Sequence, residues 1–320
     1  MIDVLCSALL GAWAGVPASA GHGEPAGSFW RSWPAAARPL IGVAVAGLVY
    51  AVGRRRLVRR GAGDVVPGWR AWCFGLGLLA IAIALLSPLA SYSERLFSMH
   101  MVQHLLLLLI APPLLWLGAP LPPVLWGLPP DWRHGVGRRL APGRWLARVG
   151  HALAVPAVAA AAYVATVAVW HVPAFYDAAQ GRTITHDLEH ALFLGTALLY
   201  WWPVIHPSGG RRRLSYGRAI PYLLPPFLEG MLIGAVIAFA DRPIYRTYAE
   251  VEPTWGLSVL DDQQLGGLIM WVPGGLLFLV PVIGLLAMLF REEERMAANR
   301  GPRGRHANGR PQKEAPRGIG

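Results

Sequence analysis

The sequence predicts an all-α fold: a polytopic membrane helical bundle of about seven transmembrane helices. Three observations predict it. The chain has 320 residues, of which 54% are hydrophobic and only 15% charged, and its mean hydropathy is +0.41. Seven stretches, roughly 35–53, 69–90, 99–121, 151–171, 189–206, 219–240 and 264–290, reach or approach the about 20 apolar residues that a bilayer core requires. The loops between them alternate between arginine-rich and arginine-poor. These stretches leave no room for a soluble domain between 35 and 290, and the alternation of a barrel strand is absent, so helices must satisfy the backbone inside the membrane.

In chain order, residues 1–34 hold a short apolar run, 4–20, that ends Ala18-Ser19-Ala20 as a cleaved signal peptide does. The start, Met1-Ile2-Asp3, lacks the positive charge of such a signal, so a signal peptide and an extra short helix followed by an outer segment both fit. The first span runs into Arg54-Arg55-Arg56-Leu57-Val58-Arg59-Arg60. The 122–150 loop carries Arg133, Arg138, Arg139, Arg144 and Arg148, the 207–218 loop carries Arg211, Arg212, Arg213 and Arg218, and eight basic residues follow position 290. The loops near 88–98, 172–188 and 241–263 are poor in them. The excess of positive charge on cytoplasmic loops then predicts an N-terminus outside and a C-terminus in the cytoplasm. Residues 35–290 form the seven-helix domain, and 291–320, polar and without apolar periodicity, read as a disordered basic cytoplasmic tail. The net charge of +11 is accounted for by this topology, and no fold suited to nucleic acid accompanies it. Trp69, Trp72, Trp201, Trp202 and Trp271 fall near span ends, as an interfacial aromatic belt does. Ala111-Pro112-Pro113 and Leu224-Pro225-Pro226 place double prolines inside two spans, where they predict paired kinks that open a central cavity.

The residues able to do chemistry gather at one membrane face. His100 and His104 open the third span, His171 closes the fourth, and His186 and His190 open the fifth, so five of the ten histidines share one layer on the outer side. Each His-x-x-x-His pair lies on one helix face, where two imidazoles reach a common ion. Met99 and Met101 add thioethers beside the first pair, and imidazole with thioether suits copper better than calcium or magnesium. Asp187 or Glu189 can orient a ligating ring from behind. Asp241, Asp261 and Asp262 join the layer. Asp241 ends the sixth span as an interfacial charge pair with Arg242, whereas Asp261 and Asp262 precede the seventh, where carboxylates serve as helix N-caps, and Asp262 is assigned a further role. Glu229 lies mid-span, where a carboxylate is costly unless functional or paired. Cys6 and Cys73 form no CxxC pair, which removes a thiol chaperone of that kind.

His100-Met101-Val102-Gln103-His104 leads to Ala111-Pro112-Pro113-Leu114-Leu115 and Gly118-Ala119-Pro120. With His186-Asp187-Leu188-Glu189-His190, Trp201-Trp202-Pro203, Pro243-Ile244-Tyr245 and the run from Asp261-Asp262-Gln263-Gln264 to Met270-Trp271, it resembles the polytopic CtaG family of cytochrome c oxidase assembly factors over roughly residues 35–290. Single-span copper chaperones that share the CtaG name are not resembled. The resemblance implies a multi-pass plasma-membrane protein needed to build a haem-copper oxidase of the caa type. Oxidase subunits and the lipid bilayer are its implied partners, and it helps copper reach the oxidase on the extracytoplasmic side.

Together these readings predict a non-enzymatic assembly factor that holds copper transiently on His100, His104, His186 and His190, with His171, Met99, Met101 and Asp262 in support. A copper transport or resistance protein uses the same outer ligands but needs a polar path inward, for which Glu229 is one station. A metal-free scaffold for oxidase subunits uses the histidines only to order the outer loops. A di-haem carrier needs axial histidines in both leaflets, where His151 and His206 lie on the inner side. A retinal protein needs an intramembrane lysine, and the single lysine, Lys313, is in the tail.

Overall fold

The computed structural model describes residues 26–34, 37–139, 141, 144–205, 214–249 and 254–300, and every regular element among them is helical. The helices are α1 (Ala37–Arg59), α2 (Gly68–Leu86), α3 (Pro88–Ser93), α4 (Phe97–Leu105), α5 (Ala111–Leu117), α6 (Leu121–Gly127), α7 (Pro130–Arg139) and α8 (Trp145–Leu153). They continue with α9 (Pro156–His171), α10 (Pro173–Gln180), α11 (Thr183–Ile205), α12 (Tyr216–Tyr222), α13 (Leu224–Ala238), α14 (Arg246–Ala249) and α15 (Val259–Arg300). A π-helical segment, Leu106–Ile110, joins α4 to α5.

Five helical stretches are long and apolar enough to cross a membrane: Gly68–Leu86, Phe97–Leu117, Thr183–Ile205, Tyr216–Ala238 and Val259–Ala298. The span expected at 151–171 is instead broken. α8 and α9 meet at a bend of 72° and make a sixth crossing only when taken together. The bend sits at Val155, extended at φ −65° and ψ 127°, because the proline at 156 excludes the helical conformation from the residue before it. α1 covers the first expected span but carries Arg38, Arg54, Arg55, Arg56 and Arg59, and its apolar middle falls short of about 20 residues. α15 runs unbroken to Arg300, so residues 291–300, read as the start of the tail, are helical. The 4–20 run and residues 301–320 lie outside the described residues.

Both double prolines are accommodated by neighbouring side chains of α11. Proline lacks the N–H that bonds the carbonyl four residues back, so Pro112 frees the carbonyl of Leu108 and Pro226 that of Tyr222. Trp201 Nε1 donates to the Leu108 carbonyl at 3.0 Å, and the Tyr200 hydroxyl donates to that of Tyr222 at 3.2 Å. The Tyr222 hydroxyl returns a bond to the Tyr200 carbonyl at 3.0 Å. The π segment, whose exit residue Ala111 bonds back to Leu106, takes up the local mismatch. In hydrocarbon no water can satisfy such carbonyls, so the adjacent Tyr200 and Trp201, both buried, lock two bent spans to a third.

Packing elsewhere relies on small residues. α13 and α15 approach so closely at Gly234 and Gly267 that a Cβ on Gly234 would sit 2.9 Å from the Gly267 carbonyl oxygen, and one on Gly267 would meet the Ala238 backbone. Only glycine fits such a contact. Opposite it, Leu224, Leu228, Leu232 and Val236 form an exposed stripe along α13, spaced for one helix face and suited to lipid. Two of the arginine-rich loops, those after α1 and around α6 and α7, meet at one end. Arg56 donates to the carbonyls of Trp126, Gly127 and Leu128 at 2.8–3.3 Å, and Arg60 and Arg133 lie over the Trp126 ring at 4.4 and 4.5 Å. The arginine-poor loops meet at the other end, where Tyr92 stacks on Trp255 at 4.8 Å and the Tyr248 hydroxyl donates to the Ser93 carbonyl at 3.0 Å.

Candidate metal centre

Two helix starts, α4 and α11, deliver the paired histidines, and α4 is held by partners distant in sequence. The first backbone N–H groups of a helix have no partner within it. At α4, Asp262 of α15 supplies one. Its carboxylate accepts from Phe97 N at 2.6 Å, from Ser98 N at 3.2 Å and from the Ser98 hydroxyl. α15 is capped separately, by Ser258, whose hydroxyl accepts from Asp261 N at 3.1 Å and donates to the Asp261 carboxylate at 2.6 Å. Gln103, beside His104, donates to the Ala84 carbonyl at 2.6 Å, tying α4 to α2.

The i, i+4 spacing then turns both pairs into one interior. The Nε2 atoms of His100 and His104 stand 2.6 Å apart, and the ring centroids of His186 and His190 are 4.3 Å apart. Between the pairs, His100 lies 5.4 Å from His186 and 5.7 Å from His190, centroid to centroid, and His104 lies 5.9 Å from His190. Nitrogens of His100, His104 and His190 fall within 4.8 Å of one another, as do donor atoms of His100, His186 and Glu189. Small ring rotations bring either set onto one ion at the about 2 Å usual for imidazole nitrogen. All but His186, which is half-buried, are buried, and Glu189 is fully so.

Buried polar atoms are ordinarily hydrogen-bonded, and several here are not. His104 Nδ1, His171 Nε2, His186 Nε2, His190 Nε2 and both Glu189 oxygens have no hydrogen-bond partner among the described residues. Glu189 Oε1 does approach His104 Nε2 at 3.5 Å and His100 Nε2 at 3.9 Å, within ion-pair range if a ring is protonated. The two acidic residues considered as orienting groups part company. Asp187 turns outward to pair with Arg38 at 2.8 Å, while Glu189 turns inward. Glu189 follows His186 by three positions, which puts it on the same face, and Asp187 is rotated about 100° from that histidine. That spacing was the available signal for Glu189 as a donor. Gln180, which contacts His100 Nδ1 at 3.2 Å, carried no comparable signal.

The remaining candidates occupy different places. His171 sits at the edge of the cluster, 5.7 Å from His104 by centroids, with Nδ1 donating to the Val167 carbonyl at 2.7 Å. That bond leaves the lone pair on Nε2 for another partner. Met101 is wholly buried with Phe97 and Met270, against Gly266 of α15, and Met99 is half-buried. Both are turned about 100° from His100 along the helix. Asp262 is engaged as a cap rather than in either donor group. His151 is exposed and bonds its own helix at Ala147, and His206 lies outside the described residues.

Tyrosines cover the layer. The Tyr176 hydroxyl meets that of Tyr248 at 2.9 Å, Tyr245 donates to the His171 carbonyl at 3.1 Å, and the Tyr176 ring lies 5.4 Å from His100. Burial holds all three phenols above the ordinary tyrosine pKa, so they stay neutral. The loop bearing Tyr245 and Tyr248 is fastened by Asp177, whose carboxylate accepts from the Thr247 hydroxyl at 2.9 Å and its N–H at 3.2 Å.

Residues 48–292 match the protein family described as "Cytochrome c oxidase caa3 assembly factor (Caa3_CtaG)". The chain is 29% identical over 267 residues to the "Uncharacterized protein Mb0105" of Mycobacterium bovis and to the "Uncharacterized protein MT0111" of Mycobacterium tuberculosis, covering 81% of this chain and 40% of each of those proteins. It is 27% identical to the "Uncharacterized protein ML1998" of Mycobacterium leprae over 79% of this chain and 38% of that one. The chain thus spans about 40% of the length of these curated relatives. No solved structure matches it.

Proposed function

The chain belongs to the family of caa3 cytochrome c oxidase assembly factors, and from that premise we propose that it is a non-enzymatic factor of the plasma membrane that holds copper transiently and passes it to an oxidase subunit at the outer face. The observation that carries the reading is the convergence of buried imidazole nitrogens from His100, His104 and His190 beside Glu189, with His104 Nδ1, His190 Nε2 and both Glu189 oxygens left without a hydrogen-bond partner. Orphaned buried nitrogens cost stability, and a bound ion removes that cost. His186, the most exposed of the four, is the point of entry, and Glu189 supplies the countercharge that makes a site holding Cu(I) electrically neutral. Neutral imidazoles with one carboxylate bind a monovalent ion without enclosing it, which suits capture followed by release.

The orientation belongs to the same proposal. α1 completes a seven-span topology, with Arg54, Arg55, Arg56 and Arg59 reaching to the cytoplasmic headgroups. The alternation of arginine-rich loops then sets the N-terminus and the histidine layer outside.

The test is copper per chain, by elemental analysis, on detergent-purified protein loaded with Cu(I) and desalted. The wild type is expected to retain near-stoichiometric copper and the His100→Ala/His104→Ala variant to lose it. A wild type that retains none favours the metal-free scaffold. Copper uptake into vesicles carrying the purified protein distinguishes the transport reading, since an assembly factor moves none.

A further inference from the structure

Beneath the histidine layer lies a cavity of about 40 Å³, and its position follows from the two proline bends. Leu108 and Leu109 of the π segment line one side and Pro226 and Phe227 the other. Two other features of its wall stand out. His104 and His171 form its histidine-layer boundary, and Met231 of α13 and Met270 of α15 bring two thioethers to the same small space. His171 Nε2 is buried, lacks a hydrogen-bond partner, and has its other ring nitrogen fixed by the Val167 carbonyl at 2.7 Å. His171 also stands outside both converging donor groups of the layer above, so that layer does not use it.

We propose that this cavity is a second and softer station for the same monovalent metal, with the His171 imidazole and the Met231 and Met270 thioethers as its ligands. The inference rests on the reading of the histidine layer as a copper centre. The volume exceeds the about 10–15 Å³ that one water-sized occupant needs, and it is far too small for an organic cofactor. The donors select the metal. Thioethers favour Cu(I) over harder ions. All three ligands are neutral, so a divalent ion would carry its full charge into an apolar wall at much greater desolvation cost than a monovalent one. His104 borders both stations, so the metal passes by ligand exchange, leaving imidazoles of the upper layer as it gains thioethers, with no change of oxidation state. A graded set of ligands of this kind lets the outer layer capture copper and the inner cavity store it until it is drawn back through the same layer for release at the outer face.

The experiment loads the full chain anaerobically with excess Cu(I), desalts it, and measures copper per chain together with the copper X-ray absorption spectrum. Wild type is compared with Met231→Leu/Met270→Leu, which keeps side-chain volume. The wild type is expected to show sulfur as well as nitrogen neighbours, and the variant to lose the sulfur signal and part of its copper while keeping nitrogen-bound copper. A nitrogen-only wild-type spectrum overturns the inner station without any variant and leaves the histidine centre standing. Sulfur scattering that survives in the double variant overturns it as well. A wild type that binds no copper removes both readings at once.

Discussion

At one end of the bundle, Arg56 spreads over three carbonyls of the α6 terminus, and Arg60 and Arg133 flank Trp126, all at an exposed surface. At the other end, Asp262, Gln103, Glu189 and four of the five clustered histidines are buried. The arginines remain hydrated and cost little to place. The buried groups are costly, and they divide into two kinds. Asp262 and Gln103 each hold specific backbone atoms, whereas Glu189 and one nitrogen on each of four histidines hold none. The contrast separates hydrated surface charge from polar groups held dry without partners. A fold that can satisfy Asp262 so fully had the means to satisfy Glu189, and leaves it open among imidazoles.

The comparison breaks most readily at Asp262. Replacing it with alanine leaves the Phe97 and Ser98 N–H groups and the Ser98 hydroxyl without their buried acceptor, at a cost of roughly 2–4 kcal/mol. The Tm in detergent should fall by several degrees. Copper retention should weaken too, because the first turn of α4 carries His100. Asp262→Asn, which keeps an acceptor, should recover part of both. An unchanged Tm would mean that the cap is not what fixes the histidine end.

A smaller effect is expected in the trunk between the ends. Trp201→Phe removes the donor to the Leu108 carbonyl that Pro112 has left free, for about 1–2 kcal/mol. The Tm should drop, and copper retained by the histidine layer should stay at the wild-type level, since Trp201 borders neither donor group. Loss of copper together with stability would show that the trunk and the histidine layer are one unit.

What the sequence disclosed follows the range of the interactions involved. The i, i+4 histidine pairs were readable because helical spacing is local, and the same spacing marks Glu189 as a neighbour of His186. Asp262 was singled out, but its capping of a helix 165 residues away depends on tertiary packing that no local pattern encodes. The double prolines announced bends and a cavity, and the cavity lies between them. That Tyr200 and Trp201 would satisfy the freed carbonyls was hidden: Trp201 read as part of an aromatic belt, and Tyr200 carried no signal of its own. Met231 and Met270 carry no ligand signal in the sequence for a related reason: a thioether in an apolar run looks like any other apolar side chain until the fold sets it beside an imidazole. The expected span at 151–171 is bent at Val155–Pro156, a local signal outweighed in the sequence by the apolar character of the run around it.

The smallest effect sharpens the comparison most, because it separates burial from location. The Arg38–Asp187 pair belongs to the histidine end but is exposed, with 67% and 45% of the two side chains accessible. If burial sets the energetics, this pair should behave like the arginine contacts of the opposite end. Asp187→Asn should then cost less than about 1 kcal/mol, and raising the salt concentration should erase the difference. Copper retention should be unaffected, since Asp187 faces away from the cluster that Glu189 faces into. If Asp187→Asn instead costs as much as Asp262→Ala, or releases copper, the outer rim of α11 is part of the centre, and the line between oriented surface charge and functional buried charge must be drawn by location rather than by exposure to solvent.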